Sequence, residues 1–126
     1  PRRILVAEDN AVNQILIMAM LDRMGHFHDV VADGVEVLRQ VQAAPYDLVL
    51  MDIQMPQMDG ITAARAIRAL PAPFNQLPII AMTANAQPED RDACFAAGMN
   101  AYVSKPIDIQ VLAQTIERIG AAAASV

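Results

Sequence analysis

The sequence predicts a three-layer, doubly wound α/β sandwich, a five-stranded parallel sheet held between five helices. Three observations predict it. Short apolar runs alternate five times with longer, helix-periodic stretches along the 126 residues. The short runs are apolar without strict alternation, as parallel strands covered on both faces are. Breaks rich in Gly, Pro and Asp separate the runs, and right-handed crossovers between parallel strands put helices on both faces of the sheet. A chain of this length forms a single domain, 1–126, with an ordered core over about 3–119 and a frayed tail at 120–126.

The elements follow in order. Ile4 to Ala7 is the first strand, and it stops abruptly at Glu8-Asp9-Asn10. Residues 11 to 24 have helical character, and Gly25 ends them. Phe27 to Ala32 reads as the second strand, and the Asp33-Gly34 turn starts a helix that reaches about Ala44 before Pro45 closes it. Asp47 to Met51 is the third strand; a loop with Pro56 and Gly60 then leads into a helix to about Leu70. Pro71 and Pro73 break the chain, and Pro78 to Met82 is the fourth strand, entered through a proline at its first position. A helix from about Pro88 to Ala97 ends at Gly98. Ala101-Tyr102-Val103 is a short fifth strand, and Asp108 caps a last helix to about Ile119.

Composition narrows the function. Hydrophobic residues make up 55% of the chain, enough for a core of Ile, Leu, Val, Met and Ala, which excludes general disorder. The formal net charge of -5 leaves no basic stripe, so nucleic acid is not an expected partner. No uncharged apolar run reaches the roughly 18 residues of a membrane span, and no direct membrane contact is expected. The single cysteine, Cys94, excludes an internal disulfide or a thiolate metal cluster and fits a reducing compartment. A cytoplasmic location follows as the expectation, with the chain alone or as the cytoplasmic part of a membrane-anchored protein.

In open parallel sheets the working site lies beyond the carboxyl ends of the strands. Strand one ends in Glu8-Asp9, strand three in Asp52, strand four in Thr83 and strand five in Ser104-Lys105-Pro106. Three acids, a hydroxyl and the chain's sole lysine therefore converge on one edge. One Asp after a strand is ordinarily a turn or helix cap, but four strand ends delivering complementary groups point to a site. Clustered carboxylates repel unless a cation joins them, and oxygen ligands without imidazole suit Mg²⁺. His26 and His28 lie at the opposite edge and read as surface residues, not as a metal site. An aspartate beside Mg²⁺ can attack phosphorus and become an acyl phosphate, with Thr83 and Lys105 paired to phosphoryl oxygens. No general base stands out, which suits a group that keeps the phosphoryl and acts as a switch.

These residues lie in ILVAEDNAVNQ at 4–14, DLVLMDIQMPQMDG at 47–60, PIIAMTANA at 78–86 and AYVSKP at 101–106. Over Arg3 to Ile119 the chain resembles the receiver domain of bacterial two-component response regulators, with a flavour of the receivers attached to hybrid sensor kinases. The resemblance implies a flavodoxin-like sheet in strand order 2-1-3-4-5 and a phosphorelay function. By it, Asp52 takes a phosphoryl from phosphohistidine, and Asp9, Asp52 and the backbone carbonyl of Gln54 hold Mg²⁺, with Glu8 acting through water. It makes Thr83 the switch hydroxyl, Lys105 the phosphate-binding lysine and Tyr102 the aromatic that turns inward when Thr83 moves. It implies that Gln54 and Asn85 tune acyl-phosphate hydrolysis, and that the Lys105-Pro106 bond is often cis. Glu8 stands where many members carry Asp. The expected partner is a histidine kinase or a histidine-containing phosphotransfer domain, with the chain a monomer or weak dimer that promotes its own phosphorylation and dephosphorylation.

Helix phase adds a partner surface. At about 100° per residue, Leu16, Ile17, Met20 and Met24 share a face toward the sheet, and Ala11, Gln14, Ile15, Met18 and Asp22 lie opposite. Ala11, Ile15 and Met18 there suggest a docking patch for a histidine-bearing helical bundle. In the last helix Val111, Leu112, Thr115, Ile116 and Ile119 point to the sheet. Rival functions are weaker. Aspartyl phosphate-ester hydrolases commonly carry a second acid two residues past the nucleophile, where this chain has Gln54. A nucleotide-binding domain needs a glycine-rich loop after strand one, and EDNAVNQ has none. A catalytically silent pseudo-receiver, acting only as an interaction module, is the alternative; its signature would be loss of Asp9, Asp52 or Lys105, all present.

Overall fold

Parallel pairing of five short apolar segments builds the sheet. The computed structural model describes residues 1–84 and 87–124. Its elements are β1 (Arg3–Ala7), α1 (Ala11–Met24), β2 (Phe27–Val31), α2 (Gly34–Ala43), β3 (Leu48–Asp52), α3 (Gly60–Arg68), β4 (Ile79–Thr83), α4 (Pro88–Ala96), β5 (Ala101–Ser104) and α5 (Ile109–Ala124). A 3₁₀ turn at Phe74–Gln76, not anticipated from sequence, joins α3 to β4. The strands lie in the order β2-β1-β3-β4-β5 and every neighbouring pair is parallel, as expected.

Successive strand residues point to opposite faces, and this period divides the core in two. Leu5, Ala7, Val49, Met51, Ile79 and Ala81 pack against Val37 and Val41 of α2, Ala63, Ala64 and Ile67 of α3, and Cys94 of α4. Ile4, Val6, Leu48, Leu50, Ile80 and Met82 face the other way, onto Ile17 and Leu21 of α1 and Leu112 and Ile116 of α5. Each large side chain buried this way contributes about 1.5–3 kcal/mol.

The helices depart from the expected phase in two places. α1 presents Ile17 and Leu21 to the sheet, with Met20 and Met24 half-buried beside them. Leu16 is 44% exposed, because it lies one residue, about 100°, off the line through Ile17 and Leu21. In α5 the buried line runs through Leu112, Thr115 and Ile116, and Val111 is 48% exposed for the same reason. α5 also continues to Ala124, beyond the expected end at Ile119, in keeping with the high helix propensity of its alanines.

The strands end where the polar residues begin. Asp52 and Thr83 are the last residues of β3 and β4, one residue further than the apolar runs suggested. The ladder extends one rung beyond the strands: Glu8 N–H donates to Val31 O at 3.0 Å, Ile53 N–H to Met82 O at 3.2 Å and Lys105 N–H to Thr83 O at 2.8 Å. Sheet bonding therefore fixes the backbone of the polar edge.

Candidate functional site

Glu8, Asp9 and Asp52 meet at the carboxyl edge of β1 and β3, each offering a carboxylate oxygen within 4.8 Å of the others. Glu8 and Asp52 are buried, at 0% and 4% exposure, and Asp9 is exposed. Lys105, from the end of β5, reaches in between them. Its Nζ lies 3.0 Å from Asp52 Oδ2 and 3.2 Å from Glu8 Oε2. One ammonium against three carboxylates leaves an excess of negative charge, and the free donors are all oxygens. That donor set fits a hard divalent cation such as Mg²⁺. Among the described residues this is the one grouping of three metal-ligating side chains.

Two backbone-anchored devices hold the acids. Gln54 N–H donates to Asp52 Oδ1 at 3.1 Å, so the loop after β3 folds back over the aspartate. From α1, Asn13 Nδ2 donates to Glu8 Oε1 at 2.6 Å and Gln14 Nε2 to the Glu8 carbonyl at 2.5 Å. Burial, together with a hydrogen bond and the negative charge of Asp52, pushes the Glu8 carboxyl up to about 7, against the pull of Asn13 and Lys105. Burial opposes charge on Lys105, but Asp52 and Glu8 outweigh it and hold its pKa above the ordinary lysine value.

The loop itself is tightly built. α3 starts at Gly60, where a Cβ would run into the backbone carbonyl of Asp52. Met58 N–H donates to Pro56 O at 2.7 Å around Gln57, whose φ is 66°, a γ-turn in a conformation costly for a non-glycine residue. The Lys105-Pro106 bond is cis.

Thr83 is buried at the end of β4, facing the same edge. Tyr102 is half-buried on β5. Its hydroxyl accepts from Arg91 Nη1 at 2.9 Å, the guanidinium lies 5.5 Å over its ring, and Phe95 meets it edge-on at 6.3 Å. Asn85 lies outside the described residues. His26 and His28 sit at the opposite end of the sheet: His26 Nδ1 accepts from Arg2 N–H at 3.1 Å, and His28 pairs with Asp22 at 2.8 Å.

The expected docking residues divide by exposure. Ala11 and Ile15 are exposed and Met18 is half-buried. Val12, 73% exposed, and Leu16 extend the apolar surface, and Leu16 lines a small cavity with Asn13, Lys105, Pro106 and Ile107. Sequence reasoning missed Asn13, Gln14 and Arg91. The first two could have been found, since a helix beginning at residue 11 places its first turn directly over Glu8.

Comparison with known proteins agrees with this arrangement. The family model of the response regulator receiver domain matches residues 4–117. The chain is 36% identical to Histidine kinase 5 of Arabidopsis thaliana, over 92% of this chain and 15% of that protein. It is 42% identical to the Sensor protein GacS of Pseudomonas syringae pv. syringae, over 90% of this chain and 13% of that one. The chain thus spans a small part of these relatives. Among solved structures it is similar to the receiver domain of sensor histidine kinase PA1611 from Pseudomonas aeruginosa PAO1, with a TM-score of 0.88 and 42% identity over 95% of this chain and 98% of that one. That domain was solved with a magnesium ion coordinated in its active site cleft. No helix among the described residues is long and apolar enough to cross a membrane. The chain belongs to the response regulator receiver domain family, the phosphoacceptor modules of two-component signalling.

Proposed function

We propose that Asp52 is the phosphoacceptor, and that Glu8, Asp9, Asp52 and the Gln54 carbonyl form the Mg²⁺ site. The observation that carries this reading is the buried Asp52 carboxylate, flanked by Glu8 and Asp9 and paired to Lys105 at 3.0 Å. When bound, Mg²⁺ supplies positive charge that screens the approach of an anionic phosphoryl group to these acids. Asp52 attacks the phosphorus of a phosphohistidine, a P–O bond forms as the P–N bond breaks, and the imidazole, already protonated on its other ring nitrogen, leaves as the neutral base. Lys105 already faces Asp52 and pairs with a phosphoryl oxygen. Thr83 donates its hydroxyl to another.

A phosphoryl group brings about 1.5–2 negative charges and three strong acceptors, enough to draw Thr83 and Lys105 toward it. Movement of Thr83 vacates volume beside β5, which Tyr102 enters as it leaves Arg91 and Phe95. The donor is a histidine kinase or a histidine-containing phosphotransfer domain, docked on α1 at Ala11, Ile15 and Met18 with Val12 and Leu16. The exposure of Ile15, at 65%, supports that surface. We place this chemistry in the cytoplasm; the free, buried thiol of Cys94 supports a reducing compartment.

Amide NMR with Mg²⁺ and beryllofluoride tests the switch. The amides of Thr83, Tyr102 and Lys105 move in wild type and stay in place in Asp52→Asn. Movement undiminished in Asp52→Asn would reject Asp52 as the acceptor.

A further inference from the structure

We propose that Gly34, the first residue of α2, is a positioning residue for the acceptor site and holds the β3–α3 loop in place. The proposal rests on the reading above, that this loop frames Asp52 and supplies the Gln54 carbonyl to Mg²⁺.

The start of α2 is anchored from both sides. Asp33 Oδ1 accepts from Glu36 N–H at 2.9 Å, and Glu36 Oε2 accepts from Ala32 N–H at 2.9 Å. The first N–H groups of a helix find no partner inside it. That of Gly34 is used outside, donating to the Met58 carbonyl at 3.0 Å. Gly34 is buried at this contact. A Cβ there would stand 2.5 Å from Met58 O and 2.8 Å from both Cβ and Cγ of Met58. The nearest atom is backbone, so no side-chain rotation makes room. The loop itself has to move.

It has little slack to do so. Gly60 N–H donates to Ile53 O at 2.9 Å and closes the loop at its base. The γ-turn at Gln57 fixes its middle, and Gln54 N–H ties its start to Asp52 Oδ1 at 3.1 Å. A push at Met58 is therefore passed to Gln54 and to the Asp52 carboxylate. The helix on the other side of the loop is part of what aims the acceptor.

The test compares Gly34→Ala with Val41→Ala, which opens space on the core side of the same helix about two turns further along. Thermal unfolding gives stability without metal, and an amide chemical-shift titration gives Mg²⁺ affinity. Gly34→Ala weakens Mg²⁺ binding about fivefold or more, whereas Val41→Ala leaves it within about twofold even where its loss of stability is as large. Adding Met58→Gly to Gly34→Ala removes two of the three close atoms and recovers part of the affinity. In wild type the Gly34 amide titrates along the same saturation curve as that of Gln54, a readout that holds if Gly34→Ala does not fold. Equal Mg²⁺ affinity in Gly34→Ala and Val41→Ala, or a Gly34 amide that stays still while Gln54 titrates, would overturn the proposal. Absence of Mg²⁺ binding in wild type would instead remove the reading beneath it.

Discussion

Glu8 illustrates how a buried acid is kept in working order by a neighbouring helix. Its carboxylate has no solvent exposure and takes its donors from Asn13 and Lys105. A hydrogen bond to the ionised form of a buried acid is among the stronger ones, and the Asn13 bond favours that form of Glu8. Asn13→Ala is therefore expected to lower metal-free stability by about 1–2 kcal/mol in urea titration. His26 gives the pH prediction. Burial, then the positive charge of Arg2, lowers its pKa from 6.5, and its Nδ1 accepts from Arg2 N–H, which requires the neutral ring. Between the lowered folded value and 6.5 the unfolded chain binds more protons than the folded one. The stability His26 contributes is thus present above pH 6.5 and is lost as pH falls through the folded value. Melts of wild type and His26→Gln should converge on acidification from pH 8. At this scale the sequence was most readable where a polar residue directly follows an apolar run, as at Glu8, Asp52, Thr83 and Lys105. Gly34 was readable only as a helix start, and Arg91 not at all, because each acts on a residue of another element and no local pattern marks that contact.

Among the elements, the β3–α3 loop is the least relaxed. Gln57 holds a positive φ that glycine adopts without cost and a β-branched residue resists. Gln57→Gly should stabilise by roughly 1 kcal/mol and Gln57→Val destabilise by roughly 2, read from denaturant midpoints at constant slope. The same loop shows why element boundaries were harder to read than element order. Asp52 and Thr83 belong to their strands by backbone bonding, although their side chains are polar and signal a stop. Helix phase was legible only within one residue: apolarity placed Leu16 beside Ile17 on the sheet face, whereas the buried line runs through Ile17 and Leu21. The structure chooses Leu21, and leaving Leu16 outside enlarges the surface proposed for docking.

For the molecule as a whole, two core layers share one sheet. Leu50 lies at the centre of β3, fully buried against the α1 and α5 side. Leu50→Ala should cost about 2–5 kcal/mol, with unfolding still in a single transition. Strand order followed from family resemblance, and the three-layer architecture from periodicity, because parallel strands buried on both faces leave a plain apolar signature. Every step of the switch depends on phosphorylation of Asp52, which intact mass reads without a reporter. Wild type, Asp52→Asn and a chelator-treated sample are incubated with Mg²⁺ and either acetyl phosphate or a phosphohistidine donor domain. Wild type should gain one phosphoryl group and the other two none. A phosphoryl group gained by Asp52→Asn, or none gained by wild type from either donor, would contradict Asp52 as the acceptor.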